Sequence, residues 1–341
     1  MAQSEPSWWY AGGATWQRNL LRPVASLYGR IAAARYSATT PERAARPVIC
    51  VGNFTAGGTG KTPMSLLIAD LVEQNGGAPW FLSRGYGGRL DGQERVDPAR
   101  HTAAEVGDEP LLLAARAPTV TSRDRRLGAE FIARQAPANA VIIMDDGLQN
   151  PALAKDLTIA VVDAARGLGN GAVIPAGPLR APLAFQLART DLMVINGTSG
   201  TRARDQLANL AAAKHIPMLS AAPVARGDTA WLAGLRVVAF AGIANPQRFF
   251  ALLERLGATV VERVAFADHQ TLSDTAAENL VARADASNAT LVTTEKDFVR
   301  LAGLDGARIA LAARAKPVAI ELQLPDTDRA LLGQRIAALI G

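Results

Sequence analysis

Thr55-Ala56-Gly57-Gly58-Thr59-Gly60-Lys61-Thr62 packs three glycines, a lysine and two flanking hydroxyl residues directly behind the apolar run Val48-Ile49-Cys50-Val51-Gly52-Asn53-Phe54. Glycines let backbone N–H groups crowd around phosphate oxygens, a lysine ammonium adds a point charge, and a threonine hydroxyl can hold Mg²⁺. A following helix turns its positive end to the same place. This is the layout of a P-loop, with Thr55 where the strict pattern opens on glycine. A plain glycine turn between strand and helix is the alternative; the Gly-Lys-Thr ending and the apolar run before it favour phosphate binding. A second run, Val141-Ile142-Ile143-Met144-Asp145-Asp146-Gly147-Leu148-Gln149, ends an apolar stretch in two carboxylates. Downstream of a P-loop, that is how a carboxylate is presented to Mg²⁺, although Asp-Asp-Gly also makes an ordinary strand-end turn.

Three further places could carry chemistry. Gly107-Asp108-Glu109-Pro110 opens a helical pattern, so its acids could be dipole-compensating caps or could include a base for a substrate hydroxyl. Of the three histidines, His269 alone follows a carboxylate at the end of a strand-like run, in Asp268-His269-Gln270; a lone histidine is more often structural than catalytic. Ser83-Arg84-Gly85-Tyr86-Gly87-Gly88 and Pro175-Ala176-Gly177-Pro178-Leu179-Arg180 could close on phosphates or merely turn the chain. Thr293-Thr294-Glu295-Lys296-Asp297 ends a strand-like run, and its lysine is misplaced for a guanine-specificity motif.

The elements that must position these residues alternate. Apolar runs at 48–54, 78–82, 118–121, 140–144, 158–162 and 191–195 read as strands buried on both faces, with helical patterns at 61–74, 108–116 and 123–134 between them. The pattern is α/β: a P-loop NTPase-like, doubly wound, mostly parallel sheet. The Gly- and Pro-rich stretch 167–182 reads as loop and 222–230 as a linker. A second, smaller α/β domain follows, with strands at 236–241, 259–265, 290–293 and 317–322, helices at 246–256 and 273–285, and a last helix at about 327–340. The expected division is 1–40 as an N-terminal amphipathic helix, 41–225 as the P-loop domain and 226–341 as a lobe closing over the site, its last helix packing back on the first domain.

Composition narrows the partners. The single cysteine, Cys50, rules out an intrachain disulfide, fits a reducing compartment and reads as a small core residue. No stretch of 18 uninterrupted apolar residues points to a transmembrane span, and the N-terminus lacks signal-peptide features. The net charge of +5 suits a nucleic acid, a phosphorylated substrate or an anionic membrane. Its distribution says more. Between Glu5 and Glu42 there is no acid, but there are Arg18, Arg22, Arg30 and Arg35. Trp16, Leu20, Val24, Leu27, Tyr28 and Ile31 recur at helical spacing, and Pro23 is expected to kink or restart that helix. Such a helix could lie in a membrane surface or pack its stripe on the protein's own core.

Together and in order, these runs resemble the tetraacyldisaccharide 4'-kinase family, the lipid A 4'-kinases of Gram-negative bacteria. Leu27-Tyr28-Gly29, Ala241-Gly242-Ile243, Pro246-Gln247-Arg248-Phe249-Phe250 and Thr294-Glu295-Lys296-Asp297 extend the resemblance over almost the whole chain, and the family similarly uses Ser or Thr at the position of Thr55. The resemblance implies transfer of the γ-phosphoryl group of ATP to the 4'-hydroxyl of tetraacyldisaccharide 1-phosphate, with Mg²⁺, at the cytoplasmic face of the inner membrane. It implies residues 55–62 as the nucleotide cradle, from Thr55 and Ala56 through Gly57, Gly58, Thr59 and Gly60 to Lys61 and Thr62. Asp108 would be the base and His269 its partner. Thr62, Glu109, Asp145, Asp146 and Gln149 would place the metal, and Arg84, Tyr86 and Arg180 would contact phosphate or sugar. It favours peripheral membrane docking by the N-terminal helix, with no nucleic acid and no required protein partner. One departure stands out: Ala181 occupies a position where the family commonly has Glu. Two rivals, a P-loop switch ATPase or GTPase and a nucleic-acid-binding module, lack their own motifs here.

Overall fold

The computed structural model of the protein describes residues 5–11, 15–197, 201–268, 270–301 and 306–340. Thr15 caps the first helix, α1 (Trp16–Ser37), by accepting from the Arg18 N–H. α1 runs through Pro23 as one helix, where the sequence suggests a kink or restart. Pro23 is exposed, so its ring meets no neighbouring element, and the lost backbone hydrogen bond is outweighed by two flanking helical turns on each side.

Beyond α1 the chain alternates as β1 (Val48–Gly52), α2 (Lys61–Gln74), β2 (Ala78–Ser83), β3 (Glu94–Arg95), α3 (Ala103–Val106), α4 (Asp108–Ala114), β4 (Thr119–Thr121), α5 (Arg125–Gln135), β5 (Ala140–Asp145), β6 (Leu157–Asp163), α6 (Leu183–Leu187), β7 (Leu192–Asn196), α7 (Thr201–Ala213) and β8 (Met218–Ala225). The second half holds β9 (Arg236–Ala241), α8 (Pro246–Arg255), β10 (Thr259–Ala265), α9 (Asp274–Ala286), β11 (Thr290–Thr294), α10 (Glu295–Val299), α11 (Ala307–Arg314), β12 (Lys316–Val318), β13 (Ile320–Gln323) and α12 (Asp326–Ile340).

The larger sheet has nine strands in the order β13-β8-β7-β6-β1-β5-β2-β4-β3; only the edge strands β13 and β3 pair antiparallel. β1, β5, β6 and β7 are buried at every position, as central strands covered on both faces must be. On one face α2 packs with Leu332 and Ile336 of α12. Ala129 and Ile132 of α5 and Leu207 and Ala211 of α7 cover the other. In-register pairing aligns the carboxyl ends: Val51 lies opposite Asp145, and Asp163 opposite Asn196. Polar residues at four adjacent strand ends therefore share one edge, the usual ligand side of an open α/β sheet.

The smaller sheet, β10-β9-β11-β12, is parallel throughout. Two readings change here. Residues 222–225, expected as linker, extend β8: its first half pairs with β7 and its second half with β13. Pro223 is tolerated because its stretch has a partner on one side only. The single strand expected at 317–322 is two strands in different sheets, parted at Ala319. β8 and β13 thus carry the chain out of the large sheet and back.

α1 is inverted with respect to a core-packing helix. Ala25 and Gly29 are buried, and a side chain at Gly29 would crowd Pro182. Trp16, Leu20, Val24, Leu27, Tyr28 and Ile31 are 46–71 % exposed. The small residues face inward and the large apolar ones face solvent.

Candidate active site

The P-loop is held from below and behind. Gly57 and Gly60 adopt φ of 85° and 95°, a region open to glycine at little cost. Asn53 donates to the Gly57 carbonyl at 3.1 Å, and Asn196, from the end of β7, donates to the Thr59 carbonyl at 2.8 Å. A side chain at Gly60 would collide with that Asn196 amide. Ala56 N–H donates to the Pro178 carbonyl at 2.7 Å, which ties Thr55 and Ala56 to the 175–180 turn. The backbone N–H groups of 57–60 are thereby fixed before any ligand arrives. Asn196→Ala should cost about 1–2 kcal/mol by stranding the Thr59 carbonyl and should weaken ATP binding; urea melts and ATP titration read the two effects separately.

Lys61, at the start of α2, is only 8 % exposed and stands 3.9 Å from Asp146. Asp146 sits just beyond β5 at φ 52° and accepts from Arg180 Nη1 at 2.6 Å. Burial alone would raise its pKa, but Lys61 and Arg180 hold the carboxyl down at about 2. Arg180 Nε also donates to the Thr55 carbonyl, so one side chain links the strand-end acid to the loop. Asp145 is the opposite case. Its Oδ1 accepts from Ser65 Oγ at 2.8 Å, while its buried Oδ2 has no hydrogen-bond partner among the described residues. Burial, with Glu109 and Asp146 nearby, pushes its pKa upward. An orphaned buried carboxylate oxygen beside a P-loop suits a divalent cation. Among the described residues no three Asp, Glu, His or Cys side chains form a metal site by themselves. Mg²⁺ in general takes one or two carboxylates and draws other ligands from phosphate oxygens and water.

The second half of the site faces this one. Asp108 opens α4 behind Gly107, whose φ of 91° and close approach to the Tyr86 carbonyl leave no room for a side chain. Asp108 is 6 % exposed, and its Oδ1 accepts from the Glu109 N–H at 2.9 Å. Arg300 Nε donates to Asp108 Oδ2 at 2.8 Å, and Lys296 lies 3.3 Å from Glu109. The three carboxylates of Glu109, Asp108 and Asp268 hold the Lys296 ammonium well above its ordinary pKa despite burial. Between the sheets lies a cavity of about 200 Å³. Gly58, Thr59, Gly60, Lys61, Thr62, Glu109, Asp163 and Asn196 line it from one side; Ile243, Asn245, Arg248, Phe249, Leu252 and Lys296 line it from the other. Arg248 crosses to Asp163 at 2.9 Å.

The sequence-derived residues are therefore distributed as follows. Residues 55–62, Asp145, Asp146 and Arg180 form one cluster, and Lys61, Thr62 and Glu109 share the cavity wall. Gln149 lies beneath the loop, its amide donating to the Asn53 carbonyl and to Gln186. Arg84 and Tyr86 are exposed on the 84–88 turn. Ala181 is buried, its carbonyl accepting from Gln186. His269 lies outside the described residues; its neighbour Asp268 stands 3.7 Å from Lys296. Sequence reading passed over Asp163, Asn196, Arg248 and Arg300. For the first two the signal was present, since each ends an apolar run, 159–162 and 192–195, as Asp145 does.

Comparison with known proteins decides the family. The sequence profile of the Tetraacyldisaccharide-1-P 4'-kinase family matches residues 17–337. The chain belongs to this family. Its relatives include tetraacyldisaccharide 4'-kinases of Methylobacterium radiotolerans, 50 % identical with 95 % of each chain covered, and of Rhodopseudomonas palustris, 46 % identical with 99 % of each covered. Among solved structures, LpxK from Aquifex aeolicus in complex with ATP superposes with a TM-score of 0.72 at 25 % identity, covering 95 % of this chain and 99 % of that one. The P-loop sheet with a smaller α/β unit is thus the fold of a tetraacyldisaccharide 4'-kinase, and the chain is a kinase of that family.

Proposed function

We propose that this kinase moves the γ-phosphoryl group of ATP to the 4'-hydroxyl of tetraacyldisaccharide 1-phosphate in lipid A biosynthesis, with Mg²⁺ as cofactor, at the cytoplasmic face of the inner membrane. The observation that carries the reaction is the cavity walled by Lys61, Thr62 and Glu109 on one side and Lys296 on the other. The N–H groups of 57–60 and the Lys61 ammonium bind the β- and γ-phosphates and offset charge as it shifts to the leaving group. Mg²⁺, when bound, neutralises phosphate oxygens; the Thr62 hydroxyl, Asp145 and Glu109 would hold it, with Asp146 and Gln149 beside them. Asp108 orients the acceptor hydroxyl and receives its proton, with His269 as its partner. Arg180 steadies Asp146 and the loop, and Arg84 and Tyr86 would contact phosphate or sugar. Residues 41–225, completed by β13 and α12, and the smaller-sheet residues 226–318 act as two lobes that exclude water when together. A phosphotransfer assay with ATP, Mg²⁺ and the tetraacyl disaccharide 1-phosphate in detergent micelles tests this directly, and no product would refute it.

Peripheral docking rests on α1. No helix among the described residues is long and apolar enough to cross a membrane. The six exposed apolar side chains of α1, with exposed Arg22, Arg30 and Arg35 around them, suit an anionic bilayer surface. Each buried leucine contributes about 1.5–3 kcal/mol. Leu20→Ser with Leu27→Ser should therefore weaken binding to anionic vesicles about tenfold or more and leave the melting temperature unchanged. Undiminished vesicle binding by the double variant would return α1 to a purely structural role.

A further inference from the structure

The Thr294-Glu295-Lys296-Asp297 motif, whose Lys296 lines the cavity, also builds a rigid mount aimed at the acceptor half. The Thr294 hydroxyl caps α10 by accepting from the Asp297 N–H at 3.1 Å, and it donates to Asp297 Oδ2 at 2.7 Å. Asp297 Oδ2 also accepts from the Gly242 N–H at 3.0 Å. The other oxygen, Oδ1, accepts from Arg300 Nη1 at 2.7 Å, and Nη1 also donates to the Gly242 carbonyl at 2.9 Å. One edge of the guanidinium is thus locked into the smaller sheet. The opposite edge, Nε and Nη2, meets Oδ2 of Asp108 on α4. The Arg300 side chain is 11 % exposed.

We infer that Arg300 is a positioning residue for phosphoryl transfer, brought by the smaller lobe to fix the Asp108 carboxylate. The proposal rests on Asp108 being the group that receives the acceptor hydroxyl. Asp108 is gripped at both ends: Oδ1 by the backbone of its own helix, Oδ2 by the fork of Arg300. Lys296, next to the same mount, reaches Glu109 at 3.3 Å. A rigid fork sets the plane of a carboxylate as a point charge does not. Stability alone is a poor reason for such a network, because apolar residues packed in place of a buried ion pair are often as stabilising. The arrangement also makes lobe closure and orientation of Asp108 one event, so the acceptor half of the site is complete only when both lobes contribute.

The test compares Arg300→Met, Arg300→Lys, Asp108→Asn and the Asp108→Asn/Arg300→Met double variant in the full chain. ATP, Mg²⁺ and micellar tetraacyldisaccharide 1-phosphate are the substrates, and kcat is taken per ATP-binding site. Arg300→Met should lower kcat about 10- to 100-fold, as misplacement of a reacting group does, with the KM for ATP little changed. Arg300→Lys should recover part of that loss. The double variant should be no slower than Asp108→Asn alone, because both changes act through one group. Wild-type kcat in Arg300→Met, or multiplied losses in the double variant, would overturn the proposal. Normal turnover by Asp108→Asn would instead remove the reading of Asp108 itself. If Arg300→Met does not bind ATP, Asp297→Asn decides. It loosens the mount without touching Asp108 and should lower kcat several-fold; an unchanged kcat would again overturn the proposal.

Discussion

Lys61→Ala should lower kcat by about 10²- to 10³-fold, the usual loss when one preorganised charge donor is removed from a developing anion. The fold should survive. Lys61 lies 3.9 Å from Asp146, and Arg180 remains at 2.6 Å to hold that carboxylate. The backbone cradle keeps its own supports, from Asn53 to Gly57 and from Asn196 to Thr59. ATP should therefore still bind, more weakly, while chemistry fails. Steady-state phosphotransfer alongside thermal melting checks this. Near-normal turnover by the folded variant would sink the placement of the γ-phosphate at Lys61.

Asp108→Asn should lower kcat about 10²- to 10⁴-fold, the range for losing a positioned proton acceptor, with ATP affinity barely altered. Asn keeps the shape and one oxygen, which can accept from the Glu109 N–H or from Arg300 but not from both, and it has no carboxylate to take a proton. Asp108→Ala is the less informative change. It takes one carboxylate from Arg300, which keeps Asp297, and from Lys296, which keeps Glu109 and Asp268, and breaking a buried pair from one side costs up to about 3–5 kcal/mol. Its melting temperature should fall well below that of Asp108→Asn. An Asn variant that transfers phosphate at the wild-type rate would show that Asp108 only holds the lobes together.

Much of the site was legible because of one physical rule. A parallel strand covered on both faces must be apolar throughout, so a polar residue at its end is conspicuous. That rule exposed 48–54 with its glycine loop, and 140–144 with Asp145 and Asp146. It applied equally to Asp163 at the end of β6 and Asn196 at the end of β7, which lack a neighbouring motif to draw attention. Arg300 was invisible for a different reason. It follows a short helix, and nothing local distinguishes it from a solvated arginine; only the fold sets it against Asp108, 192 residues away. The β8–β13 crossing was missed because Pro223 looks like a chain break, and because Ala319 gives no sign that two successive strands enter different sheets.

From its sequence alone this protein is determined to be a P-loop α/β phosphate-binding protein with an apolar stripe on a basic N-terminal helix, since loop chemistry and periodicity are local properties written in consecutive residues; that it is a kinase came from the resemblance of its motifs, in order, to one family. Which way that stripe faces was decided by tertiary structure. Ala25 and Gly29 are small enough for α1 to approach Pro182 closely, and that contact turns Trp16, Leu20 and Leu27 outward. The acceptor half of the site was decided there as well. Long-range ion pairs depend on how two sheets meet, and side chains from both lobes reach Asp108 and Glu109 only after the chain has crossed over and back.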